Sequence, residues 1–199
     1  MCETKPFLIS CGILQEEIEA LISRGELDAE AFFLNRELHS DQRRLERALD
    51  QVLRKHQEKG RPSPVLIYGD VCLGFHQEMK ALVKRYGVVK VDALNCIDCL
   101  LGGRGRLLEI DPDHKFLFLT PAFIEFTSRI FSKSREETHR MFSPLAGIIL
   151  IDSLGNLSRF QNRIDEISDR TGLAVVESRA VGLSGLQQLL LEAIERNTP

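Results

Sequence analysis

This 199-residue chain lacks several features, and each absence argues against a class of protein. No apolar run approaches the roughly 18 residues that a membrane-spanning helix needs. The net charge of −3 is not the basic excess typical of proteins that bind nucleic acid or acidic membranes. The first residues, MCETKPFLIS, have no basic segment followed by an apolar stretch. We therefore expect no signal peptide and a cytoplasmic protein.

Familiar catalytic signatures are also missing from the sequence. The chain contains no G-x-S-x-G, no H-E-x-x-H and no phosphate-binding loop with its lysine. It has no linker, internal repeat or low-complexity segment, so we expect residues 1–199 to form a single domain. Function must therefore be sought in the placement of reactive side chains.

The pattern of apolar residues predicts the fold class. Short apolar runs alternate with amphipathic stretches in the order typical of βαβ units. We predict an α/β, Rossmann-like fold, in which a single open, mainly parallel sheet carries helices on both faces. Residues 145–152, LAGIILID, show no polar alternation, which predicts a central strand that is covered on both sides. Further strands are predicted at 6–12, 30–35, 64–70, 88–94, 115–120 and 173–178.

The chain has five cysteines, at positions 2, 11, 72, 96 and 99. Cys11 ends the first predicted strand, Cys72 lies two residues past the third, and Cys96 follows the fourth. The carboxyl ends of parallel strands meet at one edge of a sheet, where α/β folds bind ligands. We therefore expect these three thiols to converge at that edge.

Two further side chains join this predicted group. His39 lies just beyond the second predicted strand. Cys99 follows Cys96 by three residues, so the two share a helix face if a helix starts near Asn95. Cys2 lies near the start of the chain, and we expect it to be dispensable. His56, on a charged helix, is predicted to be solvated.

Three interpretations of the thiols remain open. A single free cysteine is most often a small buried hydrophobic residue. A C-x-x-C pair near a helix N-terminus, here Cys96 and Cys99, is typical of thiol redox proteins, but it does not account for the other thiols. Four thiols at strand ends in a reducing compartment favour a metal site, because thiolates and imidazole bind zinc and four thiolates bind zinc or an iron–sulfur cluster. The predicted metal ligands are drawn from Cys11, His39, Cys72, Cys96 and Cys99.

A glycine-rich segment, LLGGRGR at 100–106, follows the C-x-x-C pair. The backbone amides of Gly102 and Gly103 and the side chain of Arg104 are candidates for binding an anionic cofactor. The segment lacks the order of a dinucleotide-binding or phosphate-binding loop, so a helix stop and tight turn is the favoured interpretation. Asp70 and Asp98 flank the cysteines and are candidates to orient His39 or to bind a substrate or cofactor. Exposed aspartates at strand ends are common, and an ordinary surface role is the equal alternative.

Six segments carry a resemblance to a known family. They are SCGILQEEIEAL, LHSDQRRLERALDQVL, VLIYGDVCLGFHQEMKAL, VDALNCIDCLLGG, FLFLTPAFIEF and VGLSGLQQLL. In order and spacing they resemble the domain of unknown function 1638 family. The family's Cys-Gly, its Leu-His, its Tyr-Gly followed by Cys, and its Asp-Cys-Ile correspond to Cys11, His39, Cys72 and Cys96. Leu94 and Asn95 stand where many members have His-Asp, and Cys99 is an additional thiol.

The resemblance also implies a metabolic context. Members of the family occur in anaerobes and methanogens, often beside genes for corrinoid-dependent methyl transfer. The resemblance thus implies that the Cys/His site serves one-carbon or corrinoid-linked metabolism, with a corrinoid as a further cofactor and a corrinoid protein or methyltransferase as partner. A non-catalytic module that carries a cluster or cofactor is the alternative, and a thiol redox protein is the second. We expect no nucleic-acid or membrane partner.

Overall fold

The structure is a computed structural model that describes residues 5–130 and 134–198. The chain divides into two compact units, Met1–Gly105 with Ser184–Pro199 (unit 1) and Arg106–Leu183 (unit 2). Cys2 lies outside the described residues. Within them, no helix is both long and apolar enough to cross a membrane.

The strands and helices alternate along the chain. The strands are β1 Phe7–Cys11, β2 Glu30–Leu34, β3 Val65–Ile67, β4 Val89–Lys90, β5 Phe116–Leu119, β6 Gly147–Asp152 and β7 Val175–Ala180. The helices are α1 Gln15–Ser23, α2 Gln42–Glu58, α3 Glu78–Tyr86, α4 Cys96–Leu101, α5 Arg106–Ile110, α6 Pro121–Ile130, α7 Arg135–Phe142, α8 Gln161–Thr171 and α9 Ser184–Asn197. Short 3₁₀ turns cover Gly12–Leu14, Arg36–Ser40 and Leu157–Phe160.

Unit 1 contains a parallel sheet in the order β2-β1-β3-β4. The helix α2 illustrates how sequence fixes its packing. Asp41 caps the helix by accepting a hydrogen bond from the amide of Arg44 at 3.0 Å, and apolar residues then recur every four positions. Leu45, Leu49 and Leu53 are buried on that stripe, where each contributes about 1.5–3 kcal/mol by removal from water.

Unit 2 contains a second parallel sheet in the order β5-β6-β7. The strand β6 pairs on both sides, and its residues from Gly147 to Ile151 are buried. The predicted central position of this segment is confirmed within the three-stranded sheet. A cluster of buried apolar residues in unit 2 packs around this sheet; it consists of Leu119, Ile124, Ile148, Leu150, Leu157, Ile164, Ile167 and Leu173.

The α/β class, with parallel strands flanked by helices, is confirmed. The described strands pair into two sheets, whereas the sequence predicts one. The predicted strand 88–94 is also shorter than expected, because only Val89 and Lys90 form a strand. The carbonyls of Ala93 and Leu94 instead accept hydrogen bonds from the loop after β3, so the chain leaves the sheet at that point.

The prediction for His56 is wrong. This side chain is 6% exposed and stacks on Phe7 with ring centroids 4.9 Å apart. Its Nε2 lies 2.7 Å from the carbonyl oxygen of Pro62. The charged residues around it in sequence occupy the other faces of α2, so local composition gave no sign of its burial.

Candidate metal centre

The strand order of unit 1 defines a crevice at its carboxyl edge. The chain moves outward from β1 to β2 on one side and from β3 to β4 on the other. The carboxyl ends of β1 and β3 therefore form a topological switch point, the usual ligand position in open α/β sheets. Cys11 is the last residue of β1, and Tyr68 and Cys72 lie just past β3.

Gly12 allows the turns after β1 and β2 to approach each other. A Cβ at this position would lie 2.7 Å from the carbonyl oxygen of Leu34 and 3.0 Å from the amide nitrogen of Arg36. Only glycine fits such a backbone contact. The contact sets the turn Arg36–Ser40, and with it His39, at the same edge as Cys11.

Gly69 performs the same task between the loops that follow β3 and β4. A Cβ there would lie 2.2 Å from the carbonyl oxygen of Leu94. The amide of Asp70 donates to Ala93 at 3.0 Å, and that of Val71 donates to Leu94 at 3.1 Å. These two hydrogen bonds hold the loop that carries Cys72 against the start of α4.

The helix α4 begins at Cys96, with Asn95 as its N-cap. The Asn95 side chain accepts a hydrogen bond from the amide of Asp98 at 3.0 Å. This start satisfies the condition for Cys99 to share a face with Cys96, because residues three apart lie together on a helix. Both cysteines are buried.

The four thiols affect one another electrostatically, which places them in one neighbourhood. Burial raises the pKa of Cys11 to about 12, and Cys72 adds to the rise. Burial raises the pKa of Cys72 to about 11, and Lys90 lowers it in part. The pKa values of Cys96 and Cys99 are raised by burial and also by Cys72 and Cys11. None of the cysteines in the described residues forms a disulfide.

Tyr68 lies at the same place, and the sequence analysis missed it. The residue is 2% exposed, and its hydroxyl has no hydrogen-bond partner among the described residues. Its pKa is raised by burial and by Cys11 and Cys72, which indicates that the hydroxyl lies near these two thiols. Leaving such a group unsatisfied costs about 1–3 kcal/mol. A tyrosine that directly follows a buried apolar run was the available signal.

Two findings bear on the other predicted ligands. Burial lowers the pKa of His39, which favours the neutral imidazole that metals bind. Within residues 5–130 and 134–198, no group of three or more histidine, cysteine, aspartate or glutamate side chains has an arrangement that could hold a metal ion.

Asp98 and the glycine-rich segment serve the local backbone. The Asp98 carboxylate is fully buried and accepts hydrogen bonds from the amides of Leu94 at 3.0 Å and Gly105 at 3.3 Å. The amides of Gly102, Gly103 and Arg104 donate to carbonyl oxygens of Cys99, Asp98 and Asp92. The amides of residues 102–105 are therefore engaged within the chain, which favours the helix stop and tight turn over an anion cradle.

Asp70 and Arg104 are joined to each other. Lys90 Nζ lies 2.8 Å from Asp70 Oδ1, and the Arg104 guanidinium contacts the other oxygen and also Asp92. Partial burial acts to raise the pKa of Asp70, but the hydrogen bonds from Lys90 and Arg104 outweigh it, and the net pKa is lowered. Asp70 thus stays ionised and positions two cations near Cys72.

Comparison with known proteins gives one match. The family described as "Protein of unknown function (DUF1638)" matches residues 33–190. Neither the curated proteins nor the solved structures contain a match. The matched range includes His39, Cys72, Cys96 and Cys99, and Cys11 precedes it.

Proposed function

The chain belongs to the DUF1638 family, and we propose that it binds zinc or an iron–sulfur cluster through Cys11, Cys72, Cys96 and Cys99. The observation that carries the proposal is the convergence of these four thiols from three separate strand ends at the switch point of the sheet. Thiolate is the preferred ligand of both candidates.

The protonation of the thiols favours metal binding over redox catalysis. A redox cysteine needs a lowered pKa so that its thiolate is present at neutral pH. Here burial raises the pKa of all four thiols. A bound metal deprotonates its thiol ligands, because it places a larger positive charge beside them than Lys90 does. Binding would therefore release protons.

Closure onto a metal requires a change in the thiols themselves. The sulfur atoms would turn toward a common centre by rotation about χ1, a small movement in a side chain with one rotatable bond. The unpartnered Tyr68 hydroxyl, beside Cys11 and Cys72, would then donate to a thiolate. Such a hydrogen bond tunes the affinity and potential of thiolate sites.

The number of protein ligands separates a structural from a catalytic role. Four protein ligands leave no open position, whereas three ligands with a free position allow a thiol or water to be activated. Cys99, whose pKa is affected by Cys72 and Cys11, is our fourth ligand, with His39 as the alternative. A methyl-transfer role linked to a corrinoid protein is the context that the family resemblance implies.

Metal analysis of anaerobically purified protein tests the proposal. We expect stoichiometric zinc, or iron with visible absorbance, and circular dichroism that shows a folded protein with and without metal. Cys96→Ser should lose the metal and remain folded, because a large α/β core stabilises the chain. Cys99→Ser should weaken binding less, and more so when combined with His39→Ala.

The matched control is Cys2→Ser, which removes a thiol outside the proposed set and should leave metal content unchanged. Full occupancy in Cys96→Ser would refute the ligand assignment and return the thiols to the role of core residues. Loss of metal in Cys2→Ser alone would show that the ligand set is wrong.

A further inference from the structure

A pocket of about 430 Å³ opens in unit 1 beside the loop that carries Cys72. The loop after β3 lines one side, through Asp70, Val71 and Gly74, and α3 lines another. Lys90 from β4 and Arg104 complete it. No motif in the sequence identifies this pocket, because its wall is assembled from four separate segments.

The charges of the pocket favour an anion. Its lining contains three cations, Lys80, Lys90 and Arg104, and one carboxylate, Asp70. Asp70 pairs with Lys90 and Arg104 and holds both cations in place, and Arg104 also pairs with Asp92, which offsets its charge. The Lys90 side chain is only 13% exposed. Lys80 forms no ion pair within the described part of the chain, so its ammonium is available to a ligand. Lys90 is incompletely hydrated and therefore attracts an anion more strongly than an exposed cation does, and the exposed Lys80 adds a second positive charge.

The mouth of the pocket offers an apolar surface. Phe75 is 80% exposed, the most exposed of the large apolar residues in the described chain. The loop that carries Phe75 is held in a defined conformation. The Glu78 carboxylate accepts a hydrogen bond from the amide of His76 at 2.8 Å, and Gln77 is held at a φ of 68°. Backbone in this left-handed region is uncommon for residues other than glycine and is found often at ligand sites.

The pocket adjoins the thiols. Val71 and Gly74, which line it, flank Cys72 in sequence. Lys90 links the two places, because its ammonium acts on the pKa values of both Cys72 and Cys99. An anion that is bound between Lys80 and Lys90 would therefore lie next to the thiol cluster.

We propose that this pocket binds a small organic anion, whose phosphate or carboxylate group contacts Lys80 and Lys90 and whose apolar part lies on Phe75. Binding of the anion does not require a metal. Its further role, as the substrate presented to the thiol site, rests on the proposed function. Pockets of this kind commonly combine an apolar wall with a few charged groups that orient the ligand.

Binding of phenyl phosphate, benzoate and inorganic phosphate to the full chain tests the proposal. Chelator-treated, metal-free protein should bind phenyl phosphate at millimolar concentrations, as measured by calorimetry or by chemical-shift changes. Lys80→Ala should weaken it by about fivefold or more, since a hydrogen bond to a charged group is lost. Phe75→Ala should weaken the binding of phenyl phosphate but not that of inorganic phosphate. The comparison with benzoate decides between a phosphate and a carboxylate as the preferred group.

Lys84→Ala is the matched control, because Lys84 carries the same charge on the same helix and does not line the pocket. Equal losses of affinity for phenyl phosphate in Lys80→Ala and Lys84→Ala would show that net charge alone causes the effect, and this result would overturn the proposal. Absence of binding by all three probes would also overturn it. Cys96→Ser separates the two proposals, because it should lose metal and still bind the anion as the unaltered chain does.

Discussion

The two units of this protein use the carboxyl edges of their sheets differently. In unit 2, polar side chains at strand ends close their own turns. The Thr120 hydroxyl accepts a hydrogen bond from the amide of Phe123 at 3.3 Å. The Asp152 carboxylate accepts from the amides of Gly155 at 2.7 Å and Asn156 at 3.2 Å.

In unit 1 the corresponding edge, within the described residues, carries thiols and an unpartnered hydroxyl as well as oxygen-bearing caps. All five cysteines of the chain fall in the residue range of unit 1. The hydroxyl of Tyr68 has no hydrogen-bond partner among the described residues. Oxygen-bearing side chains such as Asn95 and Asp98 do cap the backbone there. The two edges therefore differ in the ligand atoms that they offer, because unit 2 has no cysteine and unit 1 has thiols together with one hydroxyl that is unpartnered in the described part of the chain.

The largest expected effect concerns the glycines that set these edges. Gly69→Ala would place a Cβ 2.2 Å from a backbone carbonyl oxygen. Gly147→Ala in unit 2 would meet the Val176 side chain at 2.6 Å and the nearest backbone carbonyl oxygen only at 3.1 Å. Val176 is 53% exposed and can move. We expect Gly69→Ala to lower the free energy of unfolding by about 3 kcal/mol and Gly147→Ala by about 1 kcal/mol. Urea denaturation measures both, and equal losses would contradict the tight loop contact in unit 1.

A smaller difference is expected between two carboxylates that accept hydrogen bonds from loop amides, Asp98 in α4 and Asp152 at the end of β6. Asp98 and Asp152 each accept hydrogen bonds from two backbone amides, but Asp98 is fully buried and Asp152 is not. Asp98→Ala should cost about 2–3 kcal/mol, because buried amides lose their partner, and Asp152→Ala about 1 kcal/mol. The same urea measurement applies, with Asp92→Ala as a surface control. A larger loss in Asp152→Ala would show that burial does not set the cost.

Thiol reactivity tests the protonation state of the edge in unit 1. Since burial raises the pKa of Cys72 to about 11, little thiolate is present at neutral pH. Iodoacetamide should alkylate the metal-free native protein about tenfold more slowly than the urea-unfolded chain, after allowance for the higher nucleophilicity of a high-pKa thiolate. The native rate should continue to rise up to about pH 11, whereas the unfolded rate levels off near pH 9. Mass spectrometry of the peptide containing Cys72 follows this site. A native rate that levels off near pH 9 would contradict the raised pKa.

The smallest effect is expected at surface contacts, which should matter little in either unit. The Tyr86 hydroxyl donates to Asp50 Oδ1 at 2.6 Å and lowers the pKa of that carboxyl. A lowered pKa contributes stability above the unfolded pKa, and this contribution is lost as the pH falls through the folded value. Tyr86→Phe should therefore be slightly less stable at pH 7, and the difference should shrink in acid. Asp169→Asn, which removes an exposed ion pair with Arg135 in unit 2, is the comparison. A large loss of stability in either variant would contradict the interpretation of these two contacts as solvated surface interactions.

Part of the candidate site could be predicted because strand ends are local signals. Apolar runs and turn residues placed Cys11, Cys72 and Cys96 after parallel strands, and the helix start at Cys96 met the condition set for Cys99. The roles of Asp98 and the glycine-rich segment could not be predicted. They depend on contacts such as the hydrogen bond from the Gly105 amide to the Asp98 carboxylate, seven residues apart. Hydrophobic periodicity does not predict such a contact.

The sequence alone determined the α/β class, the parallel strands, the buried strand β6 and the edge at which the thiols lie. These follow from short-range periodicity and from the geometry that all parallel sheets share. Three features became visible in the fold alone: the described strands form two sheets, Tyr68 lies near the thiols, and Lys80, Lys90 and Phe75 line one pocket. Each of these depends on contacts between residues distant in sequence, which are fixed by close packing and by the pairing of backbone groups.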